Sequence, residues 1–379
     1  MIEISNLRKH AKGDAVRLEA RIKFLDMTSP YPEKTIYFEL DKKYAHMFAD
    51  DSYDAFILIP LWLAMLHKQD LHICGAVSKK LYHNVKWYVQ KIFCDFCDAL
   101  TPVNVTVDNF TDPPKKYGKI IGTGISGGVD SLSTIQDHFV NERDTHFKIN
   151  ALFYFNCGTR SDFGDEKWQE TVSNRLASAK LAAKELGLPC YYLNTNLHAF
   201  RKMQDWTKVL YIANYSCVLS LSRAISSYYV PSGFNYQQMK KFGNRFRNND
   251  MAEFCESYLV PLIGNERTDL ILDGGQYRRV DKLKKIVDWD IAKKYLNVCN
   301  RYTADGSNCG ACDKCLMTLL PLEIMGKLDD YAGVFDVEEY RTKAEDYKRQ
   351  CVEKYGKSPF STENVDFAKE NNFIIGTSK

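Results

Sequence analysis

Two groups of residues in this 379-residue chain have types and spacings that suit chemistry, and the first is a glycine-rich segment. It reads Gly124-Ile-Ser-Gly-Gly-Val-Asp-Ser131, follows a short apolar run and precedes a run with helical character over residues 132–140. Adjacent glycines at a strand-to-helix turn let backbone N–H groups approach an anion, and the helix N-terminus adds partial positive charge. Residues 124–131, the phosphate loop, are therefore predicted to bind phosphate.

The other residues of the phosphate loop narrow the kind of phosphate site. No Gly-Lys-Ser/Thr follows, which excludes a Walker A loop, and the Gly-x-Gly-x-x-Gly spacing of dinucleotide sites is missing. The hydroxyl groups of Ser126 and Ser131 can donate to phosphate oxygens. Asp130 would repel phosphate unless a divalent cation lay between them, so its carboxylate predicts Mg²⁺. The alternative is an ordinary glycine-rich turn that binds no ligand.

The second group consists of four cysteines in the pattern Cys-x9-Cys-x2-Cys-x2-Cys, namely Cys299, Cys309, Cys312 and Cys315. Four thiolates satisfy tetrahedral Zn²⁺, and the close spacing lets a tight knuckle enclose the ion. Because no histidine lies nearby, the pattern predicts a closed, structural zinc site at residues 299–315. An iron–sulfur cluster is the alternative, since four thiolates also suit it.

Composition limits the classes of protein to which the chain can belong. With 45% apolar and 26% charged residues it can bury a sizeable core, and its length predicts two or three domains. A net charge of +3 does not indicate wholesale nucleic-acid binding. The longest apolar run, residues 55–66, is shorter than the roughly 20 residues that span a membrane, and it predicts a core helix. No secretory signal is visible, so we expect a cytoplasmic protein.

The first part of the chain has the pattern of an α+β domain, which we place at residues 1–112. Residues 17–24 and 35–40 alternate polar and apolar side chains, which predicts a pair of strands. Residues 81–100 have apolar side chains at helical spacing, and Ser78 is the predicted N-cap. The aromatic residues of this domain, which include Trp62, Trp87 and Tyr88, are predicted to pack in its core.

After residue 112 short apolar runs alternate with helical segments, over residues 113–330. The runs are residues 119–125, 149–156, 190–194, 228–231 and 270–273. Such alternation predicts right-handed βαβ units and an α/β fold with a parallel sheet covered on both faces. Residues 331–379 are rich in Glu, Lys and Tyr and are predicted to form a helical C-terminal extension.

The segment Ser126-Gly-Gly-Val-Asp-Ser131 resembles the signature loop of the ATP pyrophosphatase (PP-loop) superfamily. Those enzymes cleave ATP between the α- and β-phosphates, and the loop holds the pyrophosphate. Together with the cysteine pattern, it makes residues 117–327 similar to the 7-cyano-7-deazaguanine synthase (QueC) family. That family converts 7-carboxy-7-deazaguanine to its nitrile with ATP and ammonia and has a four-cysteine zinc site. The resemblance implies a doubly wound parallel sheet for this part of the chain.

The resemblance also implies roles for individual residues. Asp130 would hold Mg²⁺, and Lys282 would face the phosphates; these two are the predicted catalytic residues. Phe155 and Asn156 end the second strand of the nucleotide-binding part, where the adenine should lie. The full set of residues predicted to bind ATP is Ser126, Gly127, Gly128, Val129, Asp130, Ser131, Phe155, Asn156, Arg278 and Arg279.

The chain departs from the QueC family after the last cysteine, where Leu316-Met317-Thr318 replaces a typical arginine. Its longer, two-domain form is more similar to the QueC-like proteins of bacterial anti-phage operons (the Qat and type IV CBASS systems). The implied reaction is adenylation of a small-molecule carboxylate and its capture by ammonia or an amine, including one on a protein or peptide, and residues 1–112 would present this second substrate.

Two other functions remain open at this point. A tRNA- or nucleotide-thiolating PP-loop enzyme would need a sulfur-carrying cysteine, for which Cys157 is the candidate. A nucleotide-binding sensor or scaffold would bind ATP without turnover. The sequence does not indicate an oligomeric state.

Overall fold

The computed structural model of the chain describes residues 1–158, 166–200, 206–243, 251–301, 303 and 305–375. Its strands are β1 (Ile2–Lys12), β2 (Ala15–Phe24), β3 (Thr35–Asp41), β4 (Leu71–Val77), β5 (Val105–Phe110), β6 (Ile120–Gly124), β7 (Ala151–Asn156), β8 (Cys190–Thr195), β9 (Ile225–Pro231) and β10 (Asp269–Asp273). Its α-helices are α1 (Leu58–His67), α2 (Lys79–Asn84), α3 (Gln90–Phe96), α4 (Val129–Ile135), α5 (Glu166–Leu186), α6 (Trp206–Ser220), α7 (Tyr236–Phe242), α8 (Met251–Ile263), α9 (Arg279–Ile286), α10 (Asp290–Tyr295), α11 (Asp313–Ile324), α12 (Val337–Glu353) and α13 (Pro359–Glu370). π-Helical turns join α2 to α3 and extend α4 to residue 141.

All ten strands form one sheet, in the order β10-β9-β6-β7-β8-β3-β2-β1-β4-β5. The pairings β1–β2, β2–β3 and β3–β8 are antiparallel, and all other pairings are parallel. The chain is therefore a mixed α/β protein with a mostly parallel sheet. The predicted strand pair is confirmed as β2 and β3, and each of the five apolar runs predicted after residue 112 overlaps a strand.

Hydrophobic side chains cover both faces of the parallel part of the sheet, because successive residues of a strand point to opposite faces. Phe153 and Tyr228 belong to a first core, to which α6 and α8 contribute. Leu152 and Tyr229, their neighbours along the chain, belong to a second core together with side chains of α4, α9 and α11. Strands buried on both faces explain why these segments are continuous apolar runs.

The strands that precede residue 112 and those that follow it meet at the β3–β8 pairing. Thr195 Oγ1 donates to the Tyr37 carbonyl at 2.6 Å, and the Asn196 side chain continues the pairing beyond the end of β8. Its Oδ1 accepts from Tyr37 N–H at 2.9 Å, and its Nδ2 donates to the Thr35 carbonyl at 2.7 Å. The first core also contains side chains from both parts, such as Phe38 and Phe153. The two parts therefore share a sheet and a core.

The predicted helices of the first part are largely confirmed. The apolar run at residues 55–66 lies mostly in the buried helix α1. The helix predicted over residues 81–100 extends from Lys79 to Phe96 and ends there because Cys97 adopts an extended backbone. Ser78 occupies the N-cap position but its side chain makes no capping hydrogen bond.

The aromatic residues of the first part divide into two classes. Trp62 is 2% exposed and packs in the core as predicted. The same prediction is wrong for Trp87 and Tyr88, which are 61% and 47% exposed, because both lie on the outer face of the π-helical turn between α2 and α3. Helices α12 and α13 confirm the helical prediction for the C-terminal extension as far as residue 370. In the part of the chain that the structure describes, no helix combines the length and the apolar character that a membrane span requires.

We predict that Asn196→Ala lowers the free energy of unfolding by about 1–3 kcal/mol, because it leaves a backbone donor and a backbone acceptor at the β3–β8 junction without their partner. Urea denaturation measures this change. The matched control is Asn109→Ala, since Asn109 is exposed on the edge strand β5 and its loss should have little effect. Equal stability of the two variants would contradict the proposed role of Asn196.

Candidate functional site

The phosphate loop lies at the carboxyl end of β6, which is flanked in the sheet by β9 and β7. Gly127 has a φ of +76°, and a Cβ atom there would lie 3.0 Å from the Tyr295 carbonyl oxygen. The Gly127 carbonyl in turn accepts a hydrogen bond of 2.7 Å from Asn297 N–H. The close approach of these backbones explains the need for glycine at this position.

The two serines of the phosphate loop hydrogen-bond within the loop. Ser126 Oγ accepts from Gly128 N–H at 3.2 Å and lies 3.1 Å from Ser131 Oγ, which donates to the Gly128 carbonyl at 3.0 Å. Val129 begins α4 directly after Gly128. Both hydroxyls and the first N–H groups of α4 thus lie at the same turn, as an anion site requires.

Asp130, in the first turn of α4, binds two cations from α9. Arg279 Nη1 donates to its Oδ2 at 2.6 Å, and Lys282 Nζ donates to its Oδ1 at 3.2 Å. Burial alone would raise the pKa of Asp130, but the charges of Arg279 and Lys282 outweigh it and hold this pKa below its ordinary value. The carboxylate is therefore ionised at neutral pH.

Lys282 is positioned by the carboxyl ends of β9 and β10. Its side chain is 1% exposed, and Nζ also donates to the Ser232 carbonyl, just after β9, at 2.6 Å. Gly274, just after β10, has a φ of +81°, and a Cβ atom there would lie 2.9 Å from Lys282 Cε. The glycine after β10 thus makes room for the lysine. The ends of three parallel strands meet at this point, which is where open α/β sheets bind ligands.

The two adjacent arginines that were predicted to bind ATP have different partners. Arg279 binds Asp130, as described above. Arg278 binds Asp281 through Nε and Nη2 and Glu370 of α13 through both terminal nitrogens, at 2.7 to 2.9 Å. Its hydrogen bonds to the carboxylates of Glu370 and Asp281 raise the pKa of Arg278 above its ordinary value. Arg279 is therefore the arginine that the structure brings to the phosphate loop, and Arg278 attaches α9 to the C-terminal extension.

Phe155, Asn156 and Cys157 lie at the carboxyl end of β7. Phe155 is buried in the first core and stacks on Tyr228, with ring centroids 5.9 Å apart. Asn156 Nδ2 donates to Asn194 Oδ1 at 2.8 Å, on the neighbouring strand β8. Cys157 is fully buried, and its thiol donates to Asn214 Oδ1 of α6 at 3.4 Å. Within the described part of the chain, these contacts are made to β8, β9 and α6 and not to the phosphate loop.

A buried carboxylate that the sequence analysis did not single out lies behind α4. Asp273, the last residue of β10, accepts from Thr134 Oγ1 at 2.6 Å and lies 3.0 Å from Nε2 of His138. Burial would raise its pKa, but the hydrogen bonds with His138 and Thr134 lower the pKa of Asp273 to about 2. The His138 ring stacks on Tyr229 at 3.9 Å. These contacts attach α4 to the end of β10. The only local sequence feature near Asp273 is the pair of glycines that follows it, Gly274 and Gly275.

A second missed residue, Glu363, belongs to α13 and holds the start of α9. Its Oε1 accepts from Val280 N–H at 2.6 Å, and its Oε2 accepts from Gln238 Nε2 at 2.8 Å. Burial raises the pKa of Glu363 to about 7. No motif in the sequence pointed to this residue, because it contacts α9 across more than eighty residues of chain.

The four predicted cysteines lie together. The sulfur atoms of Cys299, Cys309, Cys312 and Cys315 are all within 4.8 Å of one another. Gly310 has a φ of +70°, and a Cβ atom there would lie 2.1 Å from a backbone oxygen, so this turn of the knuckle requires glycine. Three of the four cysteines are at most 2% exposed. The cluster could hold a metal ion such as zinc, and its four sulfur donors fit the closed type of site.

Two features of the backbone favour negative charge on sulfur atoms of the cluster. Cys312 is the N-cap residue of α11, where the helix dipole favours negative charge. The backbone N–H of Arg301 also points at Cys299 Sγ, at 3.4 Å. Such N–H donors orient and stabilise thiolate ligands.

The phosphate loop and the cysteine cluster are neighbours. Residues 295–297, which contact Gly127, lead directly into Cys299. A cleft between them is lined by Ser126, Gly127, Arg175, Tyr295 and Asn297, among others. Arg175 of α5 is 6% exposed, and its Nη2 donates to the Cys299 carbonyl at 2.6 Å. The sequence analysis missed this arginine, since nothing in its local pattern distinguishes it from a surface residue of a polar helix.

Comparison of the chain with protein-family models, with curated proteins and with solved structures finds no match. The case for a function therefore depends on the geometry of the phosphate loop, of its cations and of the cysteine cluster.

We predict that the protein binds one zinc ion per chain and that Cys312→Ser removes it and lowers the melting temperature, because a closed metal site contributes to folding. Elemental analysis and thermal denaturation measure the two effects. The matched control is Cys94→Ser, which lies outside the cluster and should retain the metal. A coloured protein that contains iron would identify the alternative metal centre. A Cys312 variant with unchanged melting and metal content would contradict the assignment.

Proposed function

We propose that this protein is an ATP-dependent enzyme of the PP-loop type that releases AMP and pyrophosphate. It adenylates a carboxylate, such as 7-carboxy-7-deazaguanine or a related acid, and passes the acyl group to ammonia or an amine to form an amide or nitrile. The observation that carries the proposal is the contact of Asp130 with Arg279 and Lys282 at the phosphate loop. The resemblance of this loop and of the cysteine knuckle to the QueC family supports the same reaction.

The charge balance at the phosphate loop favours an anionic ligand. Two cations, Arg279 and Lys282, face one carboxylate, so the described group carries a net positive charge at the N-terminus of α4. Lys282 is almost fully buried, and Asp130 supplies only one negative charge for the two cations, so one positive charge is left to be compensated by a ligand. The phosphates of a nucleotide would supply that charge.

The residues present also fit Mg²⁺, which the carboxylate of Asp130 implied. Asp130 is ionised, and carboxylate and phosphate oxygens are the ligands that Mg²⁺ prefers. Asp130 would hold the ion together with the phosphates of the nucleotide. When bound, the ion would neutralise charge on those phosphates.

The proposed reaction has two steps. A carboxylate oxygen of the substrate forms a bond to the α-phosphorus of ATP while the bond from that phosphorus to the bridging oxygen breaks, and pyrophosphate leaves with the electron pair. The nitrogen of ammonia or an amine then forms a bond to the acyl carbon, loses a proton, and displaces AMP, which gives an amide. With ammonia, a nitrile would require a second ATP: the amide oxygen forms a bond to its α-phosphorus as pyrophosphate leaves, and this oxygen then departs with AMP while the nitrogen loses its two remaining protons. The chain's contribution is positioning and charge stabilisation, by the N–H groups of the loop, by Lys282 and by Arg279.

The two alternative functions have less support. A thiolating enzyme needs a cysteine that the substrate can reach, whereas Cys157 is 0% exposed and hydrogen-bonded to Asn214. A sensor or scaffold would use the same nucleotide site without turnover, so only an activity measurement separates it from an enzyme.

The exposed Trp87 and Tyr88 in the first part of the chain are compatible with a protein or peptide acceptor, because exposed aromatic side chains are common at protein interfaces.

We predict that Asp130→Asn lowers the rate of AMP release at least 100-fold, because the neutral side chain holds neither Mg²⁺ nor the two cations. Separation of AMP from ADP by chromatography gives the rate and the bond that is cleaved. The matched control is Asp137→Asn in the π-helical extension of α4, whose carboxylate binds Lys285 outside the phosphate loop. Undiminished AMP release from the Asp130 variant would refute its role, and ADP as the product would refute the proposed cleavage site.

The acceptor is tested by incubating the full chain with Mg-ATP and 7-carboxy-7-deazaguanine, with and without ammonia, followed by mass spectrometry. We expect AMP together with an amide or nitrile of the acid only when ammonia is present. AMP without such a product would indicate another carboxylate or amine. Binding of ATP with no AMP under any of these conditions would favour the sensor.

A further inference from the structure

The cleft beside the phosphate loop contains a cation that the proposed reaction does not yet use. Its walls include Ser126 and Gly127 of the loop, Arg175 and Ser178 of α5, and Asn297 of the segment that leads to the cysteine cluster. Arg279 and Lys282 contact the loop through Asp130 and do not line this cleft. Arg175 is therefore a cation beside the loop that is distinct from Arg279 and Lys282.

Arg175 is held in place but has few partners for a buried guanidinium. Arg175 is 6% exposed, and its Nη2 donates to the Cys299 carbonyl at 2.6 Å. Its Nε is buried and has no hydrogen-bond partner among the residues that the structure describes. A guanidinium has five N–H donors in a rigid fork, so one carbonyl leaves most of its capacity unused.

Backbone contacts connect the arginine, the loop and the cysteine cluster. The Cys299 carbonyl accepts from Arg175, while Asn297 N–H donates to the Gly127 carbonyl at 2.7 Å. The segment 297–299 therefore holds the guanidinium and the phosphate loop at a defined separation. The guanidinium and the loop are thus held relative to each other by one short segment, and such preorganisation favours binding of an anion by both.

We propose that Arg175 binds the pyrophosphate part of the nucleotide in this cleft, together with the hydroxyl and N–H groups of the phosphate loop. This inference depends on the proposed function and extends it by assigning a residue and a wall of the site. A guanidinium donates two parallel hydrogen bonds to a pair of phosphate oxygens, which a lysine does not do. Cations would then contact the phosphates from two sides, with Arg175 on one and Lys282 with Arg279 on the other.

The test is calorimetric titration of the full chain with inorganic pyrophosphate and, separately, with AMP. Arg175→Met should weaken pyrophosphate binding at least tenfold and leave AMP binding within twofold. Arg175→Lys should bind with intermediate affinity, because it keeps the charge and loses the fork. The matched control is Arg143→Met, an exposed arginine away from the cleft.

A second pair of variants leaves Arg175 and its bond to Cys299 untouched. Ser178→Asp places a carboxylate in the cleft one turn after Arg175, and it should also weaken pyrophosphate binding at least tenfold. Ser173→Asp adds the same charge to an exposed position of α5 and should not. Zinc content, measured on every variant, reports whether the cysteine cluster is intact.

The outcomes separate the inference from the proposed function. If the Arg175→Met and Ser178→Asp variants bound pyrophosphate as tightly as the wild-type protein, the inference would be overturned and the proposed function would stand. Loss of zinc in Arg175→Met together with normal binding by Ser178→Asp would mean that Arg175 serves only the cysteine cluster, and would also overturn it. Wild-type protein that binds neither ATP nor pyrophosphate would overturn the proposed function itself.

Discussion

The ion pairs of Asp130 with Lys282 and Arg279 are the interaction on which the arrangement of the site depends. They join α4, which follows the central strand β6, to α9, which follows the edge strand β10. A buried lysine needs partners for its ammonium group and space for its side chain: the Ser232 carbonyl accepts a hydrogen bond from Lys282 Nζ, and Gly274 leaves room for the side chain. The C-terminal extension then holds α9 in place through Glu363.

A second support comes from the cysteine cluster, which lies on the other side of the phosphate loop. The segment that enters the cluster donates to the Gly127 carbonyl, and the Cys299 carbonyl accepts from Arg175. The cluster and the loop are thus joined by the segment 297–299, so a change in the position of one would be transmitted to the other. A metal ion held by the four cysteines would therefore be connected to the phosphate loop through these hydrogen bonds.

The first part of the chain is structurally continuous with the rest, because β3 pairs with β8 and both parts fill the first core. Its outer strands β4 and β5 form the far edge of the sheet, well separated in strand order from β6 and the phosphate loop. The exposed aromatic side chains Trp87 and Tyr88 also belong to this part of the chain.

Local patterns of the sequence were sufficient to predict the strand-to-helix turn at residues 124–131, the clustering of the four cysteines and most strands, because glycine pairs, ligand spacing and apolar runs act over a few residues. Which of two adjacent arginines faces Asp130 depended on helix α13, and neither Arg175 nor Glu363 belongs to any motif. The pairing of β3 with β8 and the exposure of Trp87 could not be predicted from local sequence patterns either. These features arise from packing between segments far apart in the chain, whose contacts are set by the fold as a whole and leave no local periodicity to detect.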